Sequence, residues 1–196
     1  MESFQFSAEL VINAYRQGIF PMGDQLGGIT WYRPDPRCII DLDKFHVSQR
    51  LNRTFKHKPF EIKINTVFSD VIKACARCDT TEGVWISDEI VDVYCQLNKL
   101  GFAHSVEAFS QNELVGGLYG VAIGGAFMGE SMFHKRTDAS KLCLMYLVEH
   151  LRKQKFVLLD CQYQTSHLAK FGAELISSSE YLTRLNQALS LNCHFC

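Results

Sequence analysis

The stretch ELVGGLYGVAIGGAFMGESMFH, from Glu113 to His134, decides how the chain must fold. It is apolar at most of its non-glycine positions, and it carries six glycines, at 116, 117, 120, 124, 125 and 129. Such a run has no helical period and is too rich in glycine for a helix, so it reads as strand. Glu113 to Gly120 is one expected strand, and Val121 to Met128 continues as the next. Glycine inside strands lets a ligand or a second backbone come close. Phe127, Met132 and Phe133 would line an apolar pocket with Glu130 as its lone acid; a bulged hairpin packed on the next helix is an equal reading.

Working outward, His104 to Phe109 is a strand joined to Glu113 by a turn at Ser110-Gln111-Asn112. On the other side, Ala139 to Lys153 has the 3.6-residue apolar period of an amphipathic helix, through Leu142, Met145, Leu147, Val148 and Leu151. Phe156 to Leu159 is a short apolar strand, followed by a helix over Thr165 to Phe171, a strand over Glu174 to Ser177 and a helix over Glu180 to Leu191. This order implies a mixed sheet with helices packed on it, an α+β class that suits several acyltransferases.

The first half is less regular. Phe6 to Gln17 reads as a helix with Ser7 as its N-cap, ended by Gly18. Ile19 to Arg37 holds three of the four prolines and reads as loop with a short strand. A basic helix is expected near Val47 to Phe55, a strand at Phe60 to Ile64, and helices at Val67 to Arg77 and Asp88 to Leu100.

The 196 residues are 47% hydrophobic and 21% charged, enough to bury a core and unlike a disordered chain. No apolar run reaches the ~20 residues of a membrane span, and the start lacks the marks of a secretory signal, so the chain reads as soluble and intracellular. The net charge of −1 hides an asymmetry. Residues 33 to 77 carry ten Lys or Arg against five acids, a balance that would suit a phosphate backbone or a solvated surface alike. Eight cysteines include two CxxC pairs, Cys75/Cys78 and Cys193/Cys196. Four thiols would suit zinc, but the pairs are far apart, and Cys75 sits on the apolar face of its helix as a small core residue.

Three further segments carry candidate chemistry. WYRPDPR (Trp31 to Arg37) sets aromatics beside arginines in a proline-stiffened loop, fit either to stack a base or to plug the core. GVWIS (Gly83 to Ser87) supplies the other tryptophan, Trp85, before a helix that Ser87 would cap. LLDCQ (Leu158 to Gln162) ends a strand with an acid, a thiol and an amide. In period two, Asp160 and Gln162 share a face and Cys161 takes the other. Asp160 would then hold or deprotonate an amine and Gln162 would donate to an oxyanion, unless Asp160 simply caps the next helix.

In order along the chain, AYRQGIFPM (Ala14 to Met22), WYRPDPR, VWIS (Val84 to Ser87), GFAHSVE (Gly101 to Glu107), LVGGLYGVAIGGAFMGESMF (Leu114 to Phe133), DASK (Asp138 to Lys141), LLDCQ and HLAKFGA (His167 to Ala173) resemble the leucyl/phenylalanyl-tRNA–protein transferase family. The resemblance implies a small N-terminal domain over 1–62 and a C-terminal catalytic domain of the GNAT (acyl-CoA N-acyltransferase)-like fold over 63–196. It implies transfer of Leu or Phe, less readily Met, from aminoacyl-tRNA to proteins that begin with Arg or Lys. That step feeds N-degron degradation in the bacterial cytoplasm, with no metal or cofactor, by a monomer. It also implies Trp85 and Met22 as walls for the 3′-terminal adenosine with Trp31 nearby, Leu118, Phe127 and Met132 as the amino-acid pocket, Glu130 near the reacting end, and Asp160 with Gln162 as the catalytic pair. Rival readings are another GNAT-type N-acyltransferase, a tRNA-binding relative without catalysis, and a zinc-held nucleic-acid module. The chain departs from the family at Met22, where Trp is common, at Trp31-Tyr32-Arg33 for Trp-Trp-Ser, and at Asp138 for Asn. Only about a dozen residues precede AYRQGIFPM, where the family usually has more.

Overall fold

The computed structural model describes residues 6–24, 28–78 and 85–196. Seven strands form one mixed sheet with the spatial order β4-β5-β6-β7-β8-β3-β9, and β1 and β2 form a separate hairpin. The central elements are β5 (Ala103–Ser110), β6 (Glu113–Ile123), β7 (Ala126–His134) and β8 (Leu158–Gln162). The flanking strands are β4 (Glu61–Ile64), β3 (Arg37–Ile40) and β9 (Glu174–Ile176). All neighbours pair antiparallel except β7 and β8.

Helices cover both faces, so β6 is buried continuously from Val115 to Val121 rather than in alternation. On one face lie α1 (Ala8–Arg16), α3 (Phe68–Cys78), α4 (Asp88–Lys99) and α7 (Ser178–Leu189), around Tyr15, Ile72, Leu97, Val121 and Leu185. On the other lie α5 (Ala139–Lys153), α2 (Gln49–Lys56) and the short α6 (Ser166–Ala169), around Leu51, Leu118, Phe127, Leu147 and Leu159. Among the described residues no helix is long and apolar enough to cross a membrane.

Local chemistry fixes the element ends. The hydroxyls of Ser7, Ser48, Ser87, Thr165 and Ser177 each accept a backbone N–H at the start of α1, α2, α4, α6 and α7. The start of α3 is capped from outside. The buried Glu107 carboxylate on β5 accepts from the backbone N–H groups of Thr66 and Val67, and from the hydroxyls of Thr66 and Ser105.

Three expectations change. The glycine-rich run is not cut at Val121: β6 continues to Ile123, and the hairpin turns at Gly124-Gly125. Gly124 has φ +56°, and a Cβ there would lie 2.7 Å from the Ala188 carbonyl oxygen, so α7 packs where only glycine fits. Cys38-Ile39-Ile40, left unassigned in the sequence, is an interior strand buried on both faces. A domain closed at residue 62 would therefore remove β3 from the sheet it belongs to. By strand pairing, the small N-terminal part is α1 (Ala8–Arg16) with the hairpin of β1 (Phe20–Gly23) and β2 (Ile29–Tyr32).

Candidate active site

The parallel pairing of β7 with β8 covers only Ala126 to Met128 against Leu158 to Asp160. Beyond that point each strand carries a bulge. On β7, Tyr119 of β6 faces Ser131 while Gly120 faces Gly129, so Glu130 is the extra residue. On β8, Cys38 of β3 faces Gln162 while Ile39 faces Asp160, so Cys161 is the extra residue. Bulges bend a strand and re-aim a side chain. Here they coincide with a cleft of about 340 Å3 whose lining includes Gly129, Glu130, Ser131 and Met132 from β7 and Leu159, Cys161 and Gln162 from β8.

One end of the cleft is apolar, with Leu118, Met132, Leu144, Leu147, Leu159 and Leu168. The other end meets the N-terminal hairpin through Phe20 and Met22, together with Trp85. The Gly23 backbone N–H donates to the Trp85 carbonyl at 2.8 Å, which brings Met22 and Trp85 to one edge. Trp31 is not there. It lies opposite Pro21 in the hairpin, whereas Met22 lies opposite Thr30, so the two side chains leave opposite faces. Trp31 packs on Phe6, with ring centroids 5.9 Å apart. Phe127 also lies outside the cleft: it is fully buried one layer behind it, on the face of Leu159. Val84, from the VWIS motif, is outside the described residues.

The two carboxylates of the site are held differently. Asp160 is fully buried and accepts four hydrogen bonds. Arg37 donates Nε to Oδ1 at 2.8 Å and Nη2 to Oδ2 at 2.6 Å, Tyr181 donates its hydroxyl to Oδ2 at 2.8 Å, and the Gln162 backbone N–H donates to Oδ1 at 3.0 Å. Arg37 itself lies against the rings of Phe20 and Tyr181, 4.8 and 4.5 Å from their centroids. Burial pulls the guanidinium down, and its bonds to Asp160 outweigh that and hold it above its ordinary range. Burial and the neighbouring Asp160 likewise push the Tyr181 hydroxyl up.

Among the described residues, no cation is in contact with Glu130. Gln162 donates Nε2 to its Oε1 at 3.1 Å, and the Tyr94 hydroxyl lies 3.4 Å from Oε2, itself 2.5 Å from the Tyr15 hydroxyl. Burial pushes the Glu130 carboxyl up to about 8, against the pull of the Tyr15 hydrogen bond. Tyr119 lines the same cleft, and its buried hydroxyl has no hydrogen-bond partner among the described residues.

Simple alternation on β8 therefore fails. Cys161 and Gln162 both line the cleft, and Asp160 points away from it into the Arg37 cluster. Gln162 sits at φ +54°, a conformation costly for a side chain without a local partner. The Asp160 carboxylate supplies that partner by holding the Gln162 N–H. The structure thus brings together Glu130, Gln162, Met22, Trp85, Leu118 and Met132 at one cleft, sets Asp160 directly behind it, and leaves Trp31 and Phe127 elsewhere. Burial pushes the Cys161 thiol up, far from the low range of a reactive thiolate.

Sequence reasoning missed Arg37, Tyr15, Tyr94 and Tyr181. Arg37 had a usable signal, as a basic residue directly before the apolar Cys38-Ile39-Ile40. The tyrosines had none, because each looks like an ordinary core residue of its helix. As for metal, no group of three or more His, Cys, Asp or Glu is placed to hold an ion among the described residues. Cys75 is buried in the core, and the Cys78 side chain lies outside what is described.

Residues 39–186 match the family model described as leucyl/phenylalanyl-tRNA protein transferase, and residues 4–35 match its N-terminal domain. The two matches meet at the start of β3. The leucyl/phenylalanyl-tRNA–protein transferase of Akkermansia muciniphila is 49% identical over 187 residues, covering 94% of this chain and 97% of that protein. That of Rubrobacter xylanophilus is 47% identical over 192 residues, covering 97% and 99%. Among solved structures, L-PGS from Bacillus licheniformis aligns with a TM-score of 0.50 at 12% identity, over 94% of this chain and 77% of that one, a likeness of fold alone.

Proposed function

The chain belongs to the leucyl/phenylalanyl-tRNA–protein transferase family, and from that premise we propose how its cleft performs the reaction. It is an aminoacyltransferase that moves Leu or Phe from aminoacyl-tRNA onto a protein and so feeds N-degron degradation. The acceptor begins with Arg or Lys, Met is a poorer donor, and the enzyme works as a cytoplasmic monomer. The large sheet is a GNAT-like core, a reading supported by the single parallel pair that parts at Met128 and Asp160.

The observation that carries the mechanism is the Gln162–Glu130 hydrogen bond, both partners of which line the cleft. The Leu or Phe side chain occupies the apolar end, against Leu118, Met132 and Leu168. The terminal adenosine lies against Met22 and Trp85, a thioether and an indole in place of two indoles. The ester carbonyl then falls between them, beside Gln162. The tRNA ester is already activated, so positioning supplies most of the rate and no metal or cofactor is required.

The acceptor amine attacks the ester carbon. A C–N bond forms, the bond to the ribose oxygen breaks, and the amine proton ends on that oxygen. The Gln162 amide donates to the developing oxyanion, an effect worth about 3 kcal/mol for one donor. Glu130 titrates near working pH, so it is the group suited to pass the proton. Asp160, closed within its cluster, is a positioning residue that holds Gln162 in its left-handed conformation rather than a base. Across the surface, Arg53, Lys56 and Lys58 of α2 and its end are exposed, and the helix holds no acid, which suits a polyanion whose grip weakens with salt; Arg50 is held by Asp138 at 2.6 Å.

The test is transfer of radiolabelled Leu or Phe from charged tRNA to a protein beginning with Arg, against the same protein beginning with Ala. Label should appear only on the first, and Gln162→Ala should lower transfer about 100-fold or more. Equal labelling of both acceptors would refute the acceptor rule, and full activity in Gln162→Ala would refute the site.

A further inference from the structure

Segment 191–196, beyond the residues that the family model matches, is not a loose end. Phe195 is only 3% exposed and fills an aromatic box. Its ring stacks on His104 at 4.3 Å and on Phe127 at 5.3 Å, tilts over His150 at 4.6 Å, and meets the edge of Phe156 at 6.2 Å. His150 Nε2 lies 2.6 Å from the Phe195 carbonyl oxygen. Cys193 Sγ lies 3.3 Å from the Lys155 carbonyl oxygen, and Cys196 Sγ lies 3.5 Å from Asn65 Nδ2, which also contacts His104 Nδ1 at 2.9 Å. The segment is thereby tied to β5, to the end of α5 and to the residue after β4.

The consequence runs through Phe127. Its ring lies across the bare backbone of Gly120: a Cβ there would come within 2.4 Å of Phe127 Cε1. Phe127 is therefore held between β6 on one side and Phe195 on the other. It cannot retreat toward β6, so Phe195 is the contact that sets its position. In front of it, Phe127 is paired in register with Leu159, and Leu118 shares its face of the sheet two residues from Gly120. Both leucines line the apolar end of the cleft. Close packing transmits a shift behind that wall into the shape in front of it.

We propose that Phe195, acting through Phe127 on Leu159 and Leu118, sets the depth of the aminoacyl pocket and so the preference between Leu and Phe. The role rests on the transferase reading above, and Phe195 is a positioning residue that never touches substrate. Emptying its box lets Phe127 and the two leucines settle backward, which deepens the pocket and favours the larger side chain.

The experiment is a competition: equimolar Leu-tRNA and Phe-tRNA offered to one Arg-starting acceptor by the full chain, Phe195→Ala and Phe195→Leu. The ratio of Phe to Leu incorporated should rise at least about threefold in Phe195→Ala, since one methylene in a pocket distinguishes substrates by about tenfold or more. Phe195→Leu should fall between the two. A role confined to stability would lower the melting temperature and both transfer rates together, with the ratio unmoved. An unmoved ratio in Phe195→Leu, alone if Phe195→Ala fails to fold, overturns the proposal and leaves the family assignment standing. No transfer by the unchanged chain would remove both.

Discussion

Asp160 and Glu130 lie on neighbouring strands at one site, yet their surroundings have opposite characters. The Asp160 carboxylate is enclosed by a guanidinium, a phenol and a backbone amide, with no oxygen facing the cleft. Glu130 is surrounded by neutral donors, Gln162 and the tyrosines, and its carboxyl is pushed up to about 8 by burial. Two carboxylates with environments that differ this way take different tasks. The first is fixed scaffolding; the second can change its proton near neutral pH. The difference traces to one cation, Arg37, reaching in from β3.

Removing that cation breaks the comparison most severely. Arg37→Met would leave Asp160 buried without its partner, and unfolding stability should fall by about 3–5 kcal/mol. Transfer should fall as well, because the Asp160 carboxylate that holds the Gln162 N–H would no longer be fixed in place by the guanidinium. The double variant Arg37→Met/Asp160→Leu should recover most of the stability in urea melts without recovering transfer. Recovery of both would mean that the pair has no part in placing Gln162.

Glu130→Gln sharpens the other half. The folded carboxyl titrates near 8 and an unfolded one near 4.5. Below pH 4.5 both states are protonated and the substitution should be neutral. Between 4.5 and 8 the unfolded state releases a proton that the folded state keeps, so stability of the unchanged protein falls as pH rises. Glu130→Gln removes that loss. It should be the more stable protein above pH 8, by about 2–3 kcal/mol once partial access to solvent is allowed for, while transferring poorly. Chemical denaturation at pH 5 and pH 9 decides it; an equal difference at both pH values would show that burial does not control the group.

How far the sequence foretold this site depends on which interactions are local. Ser7, Ser87 and the amphipathic α5 announce themselves, because caps and a 3.6-residue period are read within one turn or two. The glycine-rich run was legible as strand, but its turn was not: Gly124-Gly125 is a turn only because α7 closes over it. Cys38-Ile39-Ile40 is too short and too uniformly apolar to show a period, and its place between β8 and β9 joins partners about 120 residues or more away. Asp160 and Gln162 stood out as residues, but the bulge at Cys161 that separates their directions depends on register with β3. The resemblance sets Met22 and Trp31 together at the terminal adenosine, while hairpin pairing sends them to opposite faces.

The smallest change bears on how Asp160 acts. Tyr181→Phe removes one of its four hydrogen bonds, together with a longer one from Arg37 at 3.4 Å, and leaves Arg37 and the Gln162 N–H in place. The cost should be about 1 kcal/mol, that of one buried hydrogen bond whose acceptor stays satisfied by others. If Asp160 works by geometry, holding Gln162 at its positive φ, that geometry survives the loss and transfer should stay within about twofold of the unchanged enzyme. If Asp160 worked by its charge, the lost donor would alter the carboxylate directly, and transfer and its pH profile would move together. A profile that keeps its midpoint in Tyr181→Phe but loses it in Glu130→Gln would assign the proton to Glu130 and the scaffold to Asp160.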